Sequence, residues 1–206
     1  MNIFEHDESL REQGFHNIAG IDEAGRGTLA GPVVSAAVIL KEKTIIDGLR
    51  DSKKTPEKER SRLFDKIKTS AIDIGIGIVE PEEIDRLNIL RATKLSMKHA
   101  VENLSIAPDI LIIDAVSLPE IPIKQFNPIK GENKSASVAA ASIIAKCTRD
   151  NIMRDLHQQY PVYNFKKHKG YSTKEHIKML KIYGPCAIHR KSFNRVMTLE
   201  LPFLTC

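Results

Sequence analysis

The sequence is short of the residues that would mark several common classes. It has three cysteines, Cys147, Cys186 and Cys206, and no CxxC pair. An odd count without that spacing argues against a disulfide framework and against a zinc site, and for reduced thiols. Long apolar runs are missing too. The longest, at 33–40 and 138–145, are far shorter than a bilayer span. The opening segment, MNIFEHDESLREQG, has no apolar stretch of the signal-peptide kind. A cytoplasmic protein with no membrane contact is the expectation. No internal repeat, low-complexity tract or linker interrupts the chain, so a single domain over 1–206 is expected, with a helical portion from about residue 160.

Lys plus Arg exceed Asp plus Glu by 31 to 26, giving +5 and a pI near 9.0. That excess suits a polyanionic partner without proving one. Position must carry the argument, and the pattern along the chain supplies it. Residues 18–23 and 33–40 predict two strands joined through a glycine-rich turn. Residues 56–68 predict a helix opened by Pro56, and 71–79 alternate with period two as a third strand. Gly75 and Gly77 share one face of that strand, which predicts a close neighbour there. The segment 81–103 reads as helical with a break near Asn88. Residues 109–114 predict a buried strand, and 121–129 an edge strand marked by proline. From Ser135 to His157 runs a long helix, alanine-rich on one side, with Lys146, Arg149 and Arg154 in its second half. Thr173 opens a further helix that stops at Gly184-Pro185. Strands first and helices later, with one strand–helix–strand crossover, give an α/β sheet with a helical C-terminal portion.

The most informative segment is GIDEAGRGTLAGP at 20–32. Asp22 and Glu23 end an apolar strand that has no structural use for adjacent carboxylates. Neighbouring strand residues face opposite sides, so both acids line one site only where the strand loses regularity at Glu23. The alternative is a turn with solvated acids. Asp114 ends a second buried strand, where open α/β sheets place ligands, although an acid there also starts turns and caps helices. With Glu132 in a loop the set reaches four. Oxygen donors without His or Cys favour Mg²⁺ or Mn²⁺ over zinc. Gly25-Arg26-Gly27 lets backbone N–H groups approach a phosphate beside a guanidinium. Asp51-Ser52-Lys53-Lys54 adds a hydroxyl and two cations. The basic run Lys166, Lys167, His168 and Lys169 lies among Tyr163, Phe165 and Tyr171, a mixture that nucleic-acid stacking surfaces use, although most such runs are solvated surface.

Five segments together resemble the motif series of type 2 ribonucleases H, the bacterial ribonuclease HII family. They are GIDEAGRGTLAGP, DSKK at 51–54, LIIDA at 111–115, KGENKSASVAAASIIAKCTRD at 130–150, and HKGYSTKEH at 168–176 with HRKSF at 189–193. The resemblance implies a ribonuclease H-like fold: a central mixed β-sheet flanked by helices, with a helical C-terminal extension. It implies catalytic metal ligands at Asp22, Glu23 and Asp114. Glu132 aligns with a position that is usually Asp, a departure in length but not in charge. It further implies that Gly25, Arg26, Gly27 and Tyr171 sense the 2′-OH at an RNA–DNA junction, and that Ser52, Lys53, Ser142 and Lys146 contact phosphate or backbone. Read without the resemblance, Ser142 and Lys146 are ordinary helix residues. The implied activity is endonucleolytic cleavage, with two Mn²⁺ or Mg²⁺ ions, of RNA/DNA hybrids and of ribonucleotide-containing duplex DNA. Rival readings are a ribonuclease HIII-like hybrid nuclease, another DNA nuclease of the same fold, and a non-catalytic nucleic-acid binder. The Gly-Arg-Gly element and a length with no room for the extra N-terminal domain of ribonuclease HIII favour the type 2 reading. The tail TLELPFLTC at 198–206 reads as a flexible end or a docking peptide for a replication factor.

Overall fold

A computed structural model describes residues 3–50, 52, 55–114, 116–128 and 130–197. The expectations that rest on Lys53, Lys54, Cys206 and the 198–206 tail lie outside them. The sheet is built from β1 (Ile18–Ala24), β2 (Val33–Leu40), β3 (Ala71–Val79), β4 (Ile110–Ile113) and β5 (Lys124–Phe126). Its order is β3-β2-β1-β4-β5. The β1–β2 and β2–β3 pairs are antiparallel, whereas β4 runs parallel to β1 and β5 parallel to β4.

Helices cover both faces. One face takes α5 (Ala136–Gln159), with α2 (Glu57–Ser70) alongside. Ala36, Val38 and Leu40 of β2 pack there against Leu63, Ile67, Ala139, Ala140, Ile143 and Ile144. The other face takes α4 (Ile89–Glu102), where Ala37, Ile39, Ile21 and Ile113 meet Met97 and Ala100. With both faces covered, β2 is buried along its whole length. Truncating Leu63 or Ile67 to Ala would cost about 2–5 kcal/mol.

Close approach explains the small residues. A Cβ at Gly75 would lie 1.9 Å from the Ala100 carbonyl oxygen, and one at Gly77 1.9 Å from that of Ser96. The α4 backbone therefore sits directly on the face that those two glycines leave bare. On the other face a Cβ at Gly20 would lie 2.1 Å from the Ser137 carbonyl carbon. The alanine-rich side of α5 lies flat on the sheet for the same reason.

The break near Asn88 is real. Between α3 (Pro81–Leu87) and α4, Asn88 has φ +73°, and its side chain accepts from the N–H groups of Leu90 and Arg91. Elsewhere the sequence pattern gives way. The edge strand expected over 121–129 is only Lys124–Phe126, because the Gln125 amide bonds the backbone of Leu118 and Ile121 and folds that loop back. Asp109 is not part of β4. Its carboxylate accepts from the N–H groups of His16 and Asn17. A helix the sequence reading omitted, α1 (Ile3–Glu12), delivers Asp7 to the start of α5, where it accepts from the Ser137 N–H and hydroxyl at 2.8 Å each. Helices and strands are therefore interleaved rather than segregated. The α2 segment joins antiparallel neighbours, and the α3–α4 pair makes the crossover that brings β4 parallel to β1.

The C-terminal part holds α6 (Phe165–His168), α7 (Lys174–Tyr183) and α8 (Asn194–Met197). Their apolar cluster includes Leu29 and Ala30 from the loop after β1, together with Met153, Tyr163, Phe165, Leu180 and Val196. The same packing that stabilises the extension fixes that loop.

Candidate active site

The parallel register pairs Ile21 with Ile113, so Asp22 and Asp114 follow as neighbours at the carboxyl edge of the sheet. Alternation along β1 gives Asp22 the α5 face, shared with Ala36 opposite it. Asp114 Oδ1 accepts from the Gly131 N–H at 2.8 Å. That bond carries the 3-10 turn Gly131–Asn133, and Glu132 with it, to the same edge. Lys130, in the left-handed region at φ +57°, turns the chain into it. Glu132 Oε1 accepts from the Asn133 side chain at 2.9 Å, while Oε2 is buried and has no hydrogen-bond partner.

Glu23 departs from expectation. The β1–β2 register runs unbroken through Ala24, so the strand keeps its regularity at Glu23. Ser35, directly opposite, bonds Ser96 of α4 at 2.6 Å, which places Glu23 on the α4 face, away from Asp22. Its carboxylate accepts from Arg26 at 3.2 Å. Asp22, Asp114 and the turn that carries Glu132 thus lie at one edge of the sheet, and Glu23 is held on the other face.

A hard divalent cation suits this donor set. All the donors are oxygens, and a buried carboxylate oxygen without a partner is the kind of group that a cation satisfies. Among the described residues no three His, Cys, Asp or Glu side chains are grouped closely enough to hold a metal ion.

One face of α5 aligns the remaining elements. Val138 lies against Gly131, Ser142 bonds Ser52 at 2.8 Å, the Lys146 ammonium sits 5.4 Å from the Tyr171 ring centre, and Arg149 packs under Gly25. These positions are spaced 4, 4 and 3 residues apart, one stripe of a helix about 16 Å long. Ser52 and Ser142 are both buried and satisfy one another, so neither hydroxyl faces solvent as a phosphate contact. Lys146 also bonds Asp150 at 2.7 Å.

The family model for Ribonuclease HII matches residues 19–196. A curated Ribonuclease HII from Acetivibrio thermocellus is 55% identical over 190 residues, covering 92% of this chain and 74% of that one. The chain belongs to the ribonuclease HII family. It is therefore an endoribonuclease of the hydrolase class, in a family where metal binding is typical. The crystal structure of ribonuclease H2 from Pyrococcus horikoshii OT3 is 29% identical, with a TM-score of 0.76 over 89% of this chain and 97% of that one. Bst-RNase HIII, solved in complex with Mn²⁺, is 19% identical and shares the fold, at TM-score 0.67 over 88% of this chain and 68% of that one. No described helix is long and apolar enough to cross a membrane.

Within this family member the glycine-rich loop is held from behind by two arginines the sequence reading gave no role. Arg149 is fully buried and donates to the carbonyls of Pro32, Lys169 and Ala30 and to the Thr28 hydroxyl, at 2.9–3.0 Å. Arg190, also fully buried, donates twice to the Gly31 carbonyl and once to that of Arg26. Burial lowers their pKa values to about 10 and about 9, and the charge of Arg149 adds to the second shift. Both remain charged at neutral pH. Gly25, at φ +100°, is required twice: a Cβ there would also meet Arg149 Nε at 2.1 Å. Gly27 has open space around it, and Arg26 is exposed. The 168–171 segment docks on the same loop, the Leu29 N–H donating to the Gly170 carbonyl at 2.8 Å.

The expected basic and aromatic stacking surface separates into two parts. Lys166 and Lys167 are exposed, but His168 and Lys169 are buried, as are Tyr163 and Phe165. Those two rings stack on each other at 5.3 Å, and the Tyr163 hydroxyl donates to the Gly184 carbonyl. Of the three aromatics only Tyr171 is open to a ligand, at 42% exposure.

Proposed function

We propose that this endoribonuclease hydrolyses the RNA strand of RNA/DNA hybrids and cuts on the 5′ side of a single ribonucleotide in duplex DNA, using two divalent ions, Mg²⁺ or Mn²⁺. The observation that carries the reading is the placement of Asp22, Asp114 and the Glu132 turn at one sheet edge, beside a glycine loop docked on the segment that carries Tyr171. Asp22, Asp114 and Glu132 hold the cations, joined by Glu23 once it turns from Arg26. When bound, the cations lower the pKa of the attacking water and offset charge on the leaving 3′ oxygen.

The residues of the chain do the rest. Without a cation the acids repel phosphate, so productive binding of substrate and metal is linked. Release of Glu23 frees the Arg26 guanidinium for a phosphate, and Lys146 supplies a second cation on the same side. The backbone of the Gly25–Gly27 loop, open at Gly27, reaches the ribose edge, where the 2′-OH distinguishes RNA from DNA. Tyr171 packs against the following deoxyribose, and an added hydroxyl there crowds the ring. Water rather than the 2′-OH attacks, so the products carry a 5′-phosphate and a 3′-hydroxyl. The free thiols Cys147 and Cys186 suit a cytoplasmic setting, and burial raises the pKa of the first to about 11.

The test is cleavage of end-labelled duplexes in Mg²⁺, in Mn²⁺ and in chelator. We expect metal-dependent cutting of both the long hybrid and the single-ribonucleotide duplex, the latter at its 5′ junction. Cutting of the hybrid alone would remove the junction specificity, and cutting in chelator would remove the metal role.

A further inference from the structure

Behind Tyr171 lies a group of histidines that this function does not use. His168, His176 and His189 are all buried. The His168 and His176 rings stack with centres 4.4 Å apart, and the Nε2 atoms of His176 and His189 stand 3.0 Å apart. Their surroundings fix the tautomers. The Cys186 N–H donates to His189 Nδ1 at 2.9 Å, so in the neutral ring the proton sits on Nε2. His189 Nε2–H then donates to His176 Nε2. The His176 proton is left on Nδ1, which donates to the Tyr171 carbonyl at 2.9 Å. His168 follows the same logic, accepting from the Gly170 N–H at Nδ1 and donating through Nε2 to the Tyr163 carbonyl.

We propose that His189 and His176 are positioning residues for Tyr171. They form a neutral chain of two imidazoles that runs in one direction from the Cys186 N–H to the Tyr171 carbonyl. With the neighbouring Gly170 carbonyl held by Leu29, the chain fixes the peptide that carries the ring. Burial favours the uncharged rings, lowering the pKa of His176 to about 4 and that of His189 to about 3. A site needing only bulk would be filled by apolar side chains. Two buried imidazoles with ring nitrogens assigned to donors and acceptors specify one geometry instead. The inference rests on the reading of Tyr171 as the junction residue.

The test compares His176→Phe, which keeps ring volume and loses both bonds, with His176→Asn, whose amide can still donate to the Tyr171 carbonyl. On the single-ribonucleotide duplex, His176→Phe should lower kcat roughly tenfold with KM little changed, and His176→Asn should recover most of the loss. In a Tyr171→Ala background His176→Phe should add nothing further. Imidazole nitrogen NMR of the wild-type protein decides the tautomers even where a variant does not fold: protonated Nε2 in His189 and protonated Nδ1 in His176 are expected. The reverse tautomers, a full further loss in the Tyr171→Ala background, or a wild-type rate for His176→Phe beside an impaired Tyr171→Ala would overturn the positioning role. Full activity of Tyr171→Ala would overturn the junction reading beneath it, and is thereby told apart.

Discussion

The molecule's two halves of the candidate site treat polar groups in opposite ways. Behind the glycine loop, Arg149 and Arg190 make seven hydrogen bonds to loop and neighbouring backbone and side-chain oxygens, and the buried histidines are tied at both ring nitrogens. At the sheet edge, acids stand side by side, and Glu132 Oε2 is buried without a partner. The first half spends its bonding capacity on its own fold, so its shape is set before substrate arrives. The second leaves that one carboxylate oxygen unsatisfied, which opposes folding and which a cation would relieve. Other acids show that such a residue need not stay unsatisfied. Asp73 accepts from Ser105 and Ile106 N–H groups, and Asp85 from those of Lys191 and Ser192.

The comparison breaks most severely at Arg149. Arg149→Met leaves three carbonyls and a hydroxyl without their donor inside the protein. Urea unfolding should show a loss of about 3–5 kcal/mol, and activity should fall with it. A loss under about 1 kcal/mol would mean that the loop does not depend on this guanidinium. Asp22→Asn should do the reverse. Turnover should drop more than about 100-fold, beyond what loss of a residue supporting a metal ligand produces, while Tm holds or rises as repulsion at the edge falls. A marked drop in Tm would assign Asp22 to the fold instead.

Glu132 sharpens the contrast with a smaller effect. Glu132→Gln removes the charge and should lower the rate more than Glu132→Asp, which keeps it. Equal rates and equal metal dependence would take Glu132 out of the ligand set.

The histidines supply a pH signature for the bonded half. Their folded pKa values, about 4 for His176 and about 3 for His189, lie below the ordinary histidine value near 6.5. Between those limits the unfolded chain binds more protons than the folded one, so stability falls as pH falls. The contribution is whole above about pH 6.5 and is lost progressively toward pH 4 and 3. Melting of wild type and His189→Gln from pH 7 to pH 4 checks it, with the variant showing the shallower decline. Parallel curves would show that these rings do not govern the acid limb.

Much of the frame could be read from local pattern. The β2 and β3 bounds, the Asn88 break and the helix contact at Gly75 and Gly77 follow from periodicity, capping and missing side chains. The strand-end acids were visible because carboxylates interrupt apolar runs. What stayed hidden depends on partners far along the chain. Arg149 reads as one more surface cation on a helix, yet its acceptors lie 117 to 121 residues earlier, and 20 later. Lys169, Tyr163 and Phe165 form a plausible stacking surface as a string and become buried structure once α6 and α7 fold back. Glu23 could join Asp22 only if the strand lost regularity there. The β2 register holds it in place.

The bonded half of the site is assembled by the chain itself, and the acidic half is the one that a cation would order. Titration of Mg²⁺ into the wild-type protein, followed by backbone amide NMR, tests that directly. The account predicts saturable shifts gathered at residues 22–23, 26, 114 and 131–133, with the amides of residues 29–31 and 168–170 unmoved. Shifts spread through the arginine and histidine network, or no saturable shift at the sheet edge, would contradict it.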